Sequence, residues 1–117
     1  MADEQVFRVM LRMEIKPGLE EEFEELWIRI ADAVTTHPAN LDQWLSRSDE
    51  KGIYYIVSDW TNEAGFRAFE QSERHLRHRE RLHPFRERGS MDTMHVVAHI
   101  DSSRLGFESH ALWEAAG

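Results

Sequence analysis

Apolar and polar residues alternate along Val6–Ile15, "VFRVMLRMEI". Phe7, Val9, Leu11, Met13 and Ile15 fall on one side, and Arg8, Arg12 and Glu14 on the other, with Met10 among them. A period of two with one apolar face predicts a half-buried strand. The "KPG" at Lys16–Gly18 ends it with turn residues. From Leu19 to Val34 the period becomes helical, with Leu19, Phe23, Leu26, Trp27, Ile30 and Val34 on one stripe. Glu20, Glu21 and Glu22 lie in the first turn, where negative charge suits the helix dipole. "THPAN" at Thr36–Asn40 stops that helix.

Leu41–Ser48 reads as a second strand, and "SDEKG" at Ser48–Gly52 as a hairpin turn. Ile53–Trp60, "IYYIVSDW", is rich in β-branched and aromatic residues and predicts the third strand. Thr61 or Asn62 can cap the following helix, with Glu63 in its first turn. That helix is expected to run to Leu82, with a break near Ser72, and Pro84 and Gly89 mark its exit. Met91–Ile100, "MDTMHVVAHI", is expected as the fourth strand. The order is β-α-β-β-α-β, an α+β ferredoxin-like pattern with an antiparallel sheet and helices on one face. Met10, Tyr55 and Val57 would project from the uncovered face, so a homodimer is expected to bury it by symmetry.

The 117 residues suit one domain, placed at 1–100. Residues 101–117 are expected as a tail packed on that domain or its dimer partner, since Leu105, Phe107, Leu112 and Trp113 are too apolar for a free end. The chain has no cysteine, which removes thiol nucleophiles, thiolate haem ligands and cysteine-bound iron–sulfur clusters. A net charge of −8 argues against nucleic acid and against an anionic membrane surface. No apolar run reaches the ~18 residues of a membrane span. The start "MADEQVF" lacks the basic and apolar regions of a signal peptide, so a cytoplasmic location is expected. A small organic ligand or another protein is the partner these features favour.

Trp60, Thr61, Glu63, Ala64, Phe69, Ser72 and His75 run from the end of the third strand into the following helix, and the "KPG" turn stands before the first helix. On these residues the chain resembles the antibiotic biosynthesis monooxygenase superfamily over roughly Val6–Ile100. The resemblance implies a dimeric α/β-barrel with a cavity between sheet and helices, bounded by the tryptophan. It also implies small oxygenases that convert electron-rich aromatic substrates of polyketide type to quinones with O₂, without metal or flavin. The superfamily further holds haem-degrading enzymes and members without known activity. Haem-degrading relatives pair a strand-one asparagine with the tryptophan, and Val6–Ile15 contains none. Some quinone-forming relatives carry an asparagine four residues before the tryptophan, where this chain has Ile56. A dimer that binds a ligand without turning it over is therefore the alternative.

Tyr54, Ile56, Ser58 and Trp60 share one strand face by period two, so they are expected to border that cavity. Trp60 offers a flat apolar wall and one N–H donor, and the competing reading is core packing. With Phe69, Tyr54 and Ser58 it makes an expected binding surface for a planar aromatic molecule. His75 and His78 share a helix side, and histidine is the natural general base near neutral pH. His75 matches the family pattern and, with Trp60, is the expected catalytic pair. Arg79 is the arginine expected to hold a phenolate or enolate oxygen, although interleaved Glu73, Glu80 and Glu87 allow a self-paired helix instead. His95 and His99 lie on one face of the expected last strand, roughly 13 Å apart, too far to share a metal. No metal site and no cofactor are expected.

Overall fold

The computed structural model describes residues 5–101. The chain order is β1 (Phe7–Ile15), α1 (Glu20–Ile30), α2 (Asp32–Thr35), β2 (Asn40–Arg47), β3 (Ile53–Trp60), α3 (Glu63–Glu70), α4 (Glu73–Leu82), a 3₁₀ turn (His83–Phe85) and β4 (Arg86–His95). The four strands form one antiparallel sheet in the order β2-β3-β1-β4. This is the ferredoxin-like arrangement expected from the hydropathy pattern. The 101–117 tail lies outside the described residues but for Asp101. No helix among the described residues is long and apolar enough to cross a membrane.

The helices cover one face of the sheet. At one end Phe7, Val9 and Trp60 pack against Phe66 and Phe69 of α3. At the other, Met13, Ile15, Tyr54 and Ile56 pack against Phe23 of α1. The opposite face carries Met10, Tyr55, Val57 and Met94, all partly buried, with Trp44 beside Val57 and 45% exposed. Arg8 clamps Asp59 on that face through two hydrogen bonds of 2.7 and 2.8 Å.

Two boundaries differ from expectation, and one expected break is found. The helix expected over Leu19–Val34 breaks at Ala31, whose carbonyl accepts a 2.9 Å hydrogen bond from Gln43 Nε2. A side chain reaching into the helical ladder is a common cause of such a break. As expected, the second helix breaks near Ser72, dividing into α3 and α4 with Ser72 capping α4. The fourth strand runs over Arg86–His95, not Met91–Ile100. Gly89 therefore sits inside the strand opposite Met13, and His99 lies outside it. The polar start "RERGS" is tolerated because β4 is an edge strand with one unpaired side.

Candidate functional site

A cavity of about 690 Å³ lies between the helix side of the sheet and α1, α2 and α4. The sheet supplies its floor in cross-strand rows. One row brings Ile56, Leu11 and Met91 to the cavity, and the next brings Gln43, Ser58 and Val9. Trp27 and Ile30 of α1 and Leu76 and Leu82 of α4 add apolar wall. Apolar walls with a few placed polar groups are the usual makeup of a small-molecule site.

Of the residues singled out from the sequence, Ser58, Trp60, Phe69, His75 and Arg79 line this cavity. Tyr54 does not. It is 1% exposed, stacks on Phe23 with ring centres 5.0 Å apart, and donates its hydroxyl to Glu24. Its neighbours there are Glu24 and Arg47, which form a separate shallow cleft. Burial and then Glu24 push the Tyr54 phenol up, while Arg47 and then Tyr54 hold the Glu24 carboxyl down. Period two placed Tyr54 on the right face, but the strand is longer than the cavity, so Tyr54 falls beneath α1.

The indole of Trp60 borders the cavity and belongs mainly to the core. It is 1% exposed and packs on Phe69 at 4.9 Å and Phe66 at 5.4 Å. Its N–H donates to Ser58 Oγ at 2.9 Å. A covered ring with its only polar hydrogen engaged gives no direct chemistry, so the geometry does not carry the catalytic role expected for Trp60.

His75 stands in the first turn of α4. Ser72 Oγ accepts its backbone N–H at 3.3 Å, and its ring rests on Phe69 with centres 4.8 Å apart. Burial, reinforced by the Arg79 guanidinium, lowers its pKa below the usual histidine value, with Glu70 opposing. His78, one turn on, also lines the cavity and is shifted down by burial and then Arg81. A histidine held neutral in an apolar cleft is ready to accept a proton.

Among the described residues, the salt-bridged helix anticipated from Glu73, Glu80 and Glu87 forms in one place on α4, an exposed 3.7 Å Arg77–Glu73 contact. Arg79 of α4 and Arg86 at the start of β4 line the cavity and have no carboxylate within 4.0 Å among the described residues. No group of three or more metal-ligating side chains converges among those residues. His95 stacks edge-on against Phe7 at 5.4 Å, and His99 lies beyond the end of β4.

Sequence reasoning missed Trp27, Gln43 and Arg86 as cavity residues, and His37 behind the indole. Trp27 was visible on the α1 stripe. Gln43 could have been placed by alternation with Trp44. His37 had no signal: a two-residue turn brings its ring within 5.7 Å of Trp60, with its Nδ1 accepting the Ala39 N–H at 3.2 Å.

Comparison with known proteins agrees with this arrangement. A family model described as antibiotic biosynthesis monooxygenase matches residues 6–81. The chain belongs to the antibiotic biosynthesis monooxygenase family. Among curated proteins, a 42.8 kDa protein in the whiE locus of Streptomyces coelicolor is 31% identical over 70 residues. That match covers 59% of this chain but only 18% of the longer protein. Among solved structures, SnoaB, a cofactor-independent oxygenase from Streptomyces nogalater, superposes with a TM-score of 0.74 at 20% identity. It covers 81% of this chain and 96% of its own. Rv0793 from Mycobacterium tuberculosis gives 0.72 at 11% identity, covering 82% and 99%. At such identities the family's structural neighbours show a shared monooxygenase-like fold.

Proposed function

We propose that this chain oxidises a planar, electron-rich aromatic substrate of polyketide type to a quinone, using O₂ without a resident metal or flavin. The observation that carries the reading is His75, kept neutral by burial on the wall of an apolar cavity large enough for such a molecule. His75 takes a proton from the activated CH₂ of the substrate. The resulting carbanion is delocalised onto a ring oxygen. Arg79, with no carboxylate partner of its own among the described residues, stabilises that oxyanion. The electron-rich anion then reduces O₂ itself. One oxygen atom becomes the new carbonyl and the other leaves as water, so that CH₂ plus O₂ gives C=O plus H₂O. Membership of the family and the fold shared with an oxygenase described as cofactor-independent support this reading.

The test is oxidation of 1,8-dihydroxyanthrone under ¹⁸O₂ by protein verified free of metal and flavin by elemental analysis and absorption. One labelled atom in the quinone carbonyl, formed faster than in buffer, is expected. Activity that appears only after adding metal or flavin would overturn the cofactor-free mechanism. Tight binding with no acceleration would favour a ligand-binding dimer.

A further inference from the structure

We propose that Gln43 and Ser58 form a donor–acceptor pair on the cavity floor that selects substrates carrying a hydroxyl beside a ketone on one ring edge. This rests on the reading above that an aromatic molecule occupies the cavity. The two residues are direct cross-strand partners and both line the cavity. Such partners hold their Cβ atoms about 4.5–5.5 Å apart, so their polar ends meet one edge of a ligand.

Each residue has one hydrogen-bonding group occupied and another left over. Ser58 is 9% exposed, and its Oγ accepts the Trp60 N–H at 2.9 Å. A hydroxyl that accepts still has its own hydrogen to donate, and no acceptor for it exists among the described residues. Gln43 Nε2 donates to the Ala31 carbonyl at 2.9 Å. A carbonyl can only accept, so this bond fixes the amide with nitrogen toward Ala31 and oxygen turned away. That oxygen has no donor among the described residues. The adjacent row, Leu45–Ile56–Leu11–Met91, is wholly apolar.

The floor therefore presents one unengaged donor and one unengaged acceptor side by side. A ligand hydroxyl donates to Gln43 Oε1 while a neighbouring ketone oxygen accepts from Ser58. An analogue lacking these oxygens leaves both groups unpaired in an apolar site, which is the strongest basis for discrimination.

The experiment is anaerobic calorimetric titration with 1,8-dihydroxyanthrone and with 9,10-dihydroanthracene, which lacks both the hydroxyls and the ketone. The parent protein should prefer the dihydroxy compound by about tenfold, the scale of two neutral hydrogen bonds. Gln43→Leu and Ser58→Ala should each cut that preference to about threefold or less, with affinity for 9,10-dihydroanthracene held nearly constant. Ser58→Thr keeps the hydroxyl and should restore the preference. A purely structural role would weaken both ligands alike and leave the ratio intact, which overturns the proposal. Should Ser58→Ala fail to fold, Gln43→Leu alone decides. Equal affinity of the parent protein for both compounds overturns the pair but leaves the aromatic-ligand reading standing. Absence of binding by either compound removes that reading and the pair with it.

Discussion

His75 and Trp60 sit against the same phenylalanine, Phe69, yet the structure gives them different work. Burial lowers the His75 pKa, so its folded value lies below the ordinary ~6.5. Neutral imidazole is the base form, so turnover should be level near pH 7 and fall as acid protonates the ring. A pH–rate profile checks this, and in His75→Gln the residual rate should lose that acid limb. The same shift has a sign for stability. Above pH ~6.5 the ring is neutral folded and unfolded, and the shift has no effect. As pH falls from there toward the folded value, the unfolded chain binds the proton more readily and stability is lost. The drop in melting temperature between pH 7.5 and 5.5 should therefore be smaller in His75→Gln than in the parent. Trp60→Phe should behave differently. It removes the N–H held by Ser58 and part of a buried ring, at a cost of about 1–2 kcal/mol. Thermal melts should shift down by several degrees. Affinity for an anthrone should change less than about twofold, because so little of the indole is open to the cavity.

At the scale of elements, two caps divide stability from function. Asn62 Oδ1 accepts the Gly65 N–H at 2.8 Å at the start of α3, and Ser72 Oγ accepts the His75 N–H at 3.3 Å at the start of α4. Either cap removed by alanine should cost about 1 kcal/mol in chemical denaturation. Ser72→Ala should also lower kcat, since it frees the turn that carries His75, whereas Asn62→Ala should leave kcat near the parent value. Gly65 is constrained from the other side: a Cβ there would stand 2.4 Å from Ala39 Cβ, so Gly65→Ala must displace the loop before β2. The strongly periodic elements were legible in the sequence. β1 and β3 follow Val6–Ile15 and Ile53–Trp60 almost residue for residue, because one covered face enforces alternation. β4 was not, because an edge strand needs few apolar residues and "RERGS" has the look of a loop. The cavity was legible in part. Alternation gave the face that holds Ser58 and Trp60, but not the depth that hides Tyr54. Gln43 escaped notice because its importance arises from a partner fifteen residues away on the next strand.

At the scale of the molecule, the sheet face opposite the helices carries Met10, Tyr55, Val57, Met94 and the half-exposed Trp44. A second copy placed by two-fold symmetry would cover this patch. Sedimentation equilibrium should give about twice the 13.8 kDa chain mass, and Trp44→Glu should shift it toward the monomer. A parent chain that stays monomeric at micromolar concentration would remove that interface. The functional claim depends on the other face, where an apolar cavity holds a neutral histidine beside an arginine without a carboxylate partner among the described residues. The most direct test is the rate of quinone formation from 1,8-dihydroxyanthrone in air, with chelator present, for buffer alone, the parent protein and His75→Ala. The parent should exceed buffer clearly, and His75→Ala should retain binding but lose about a hundredfold or more of the accelerated rate, the usual contribution of a positioned base. A His75→Ala protein that turns over substrate as fast as the parent would contradict the proposed role of His75.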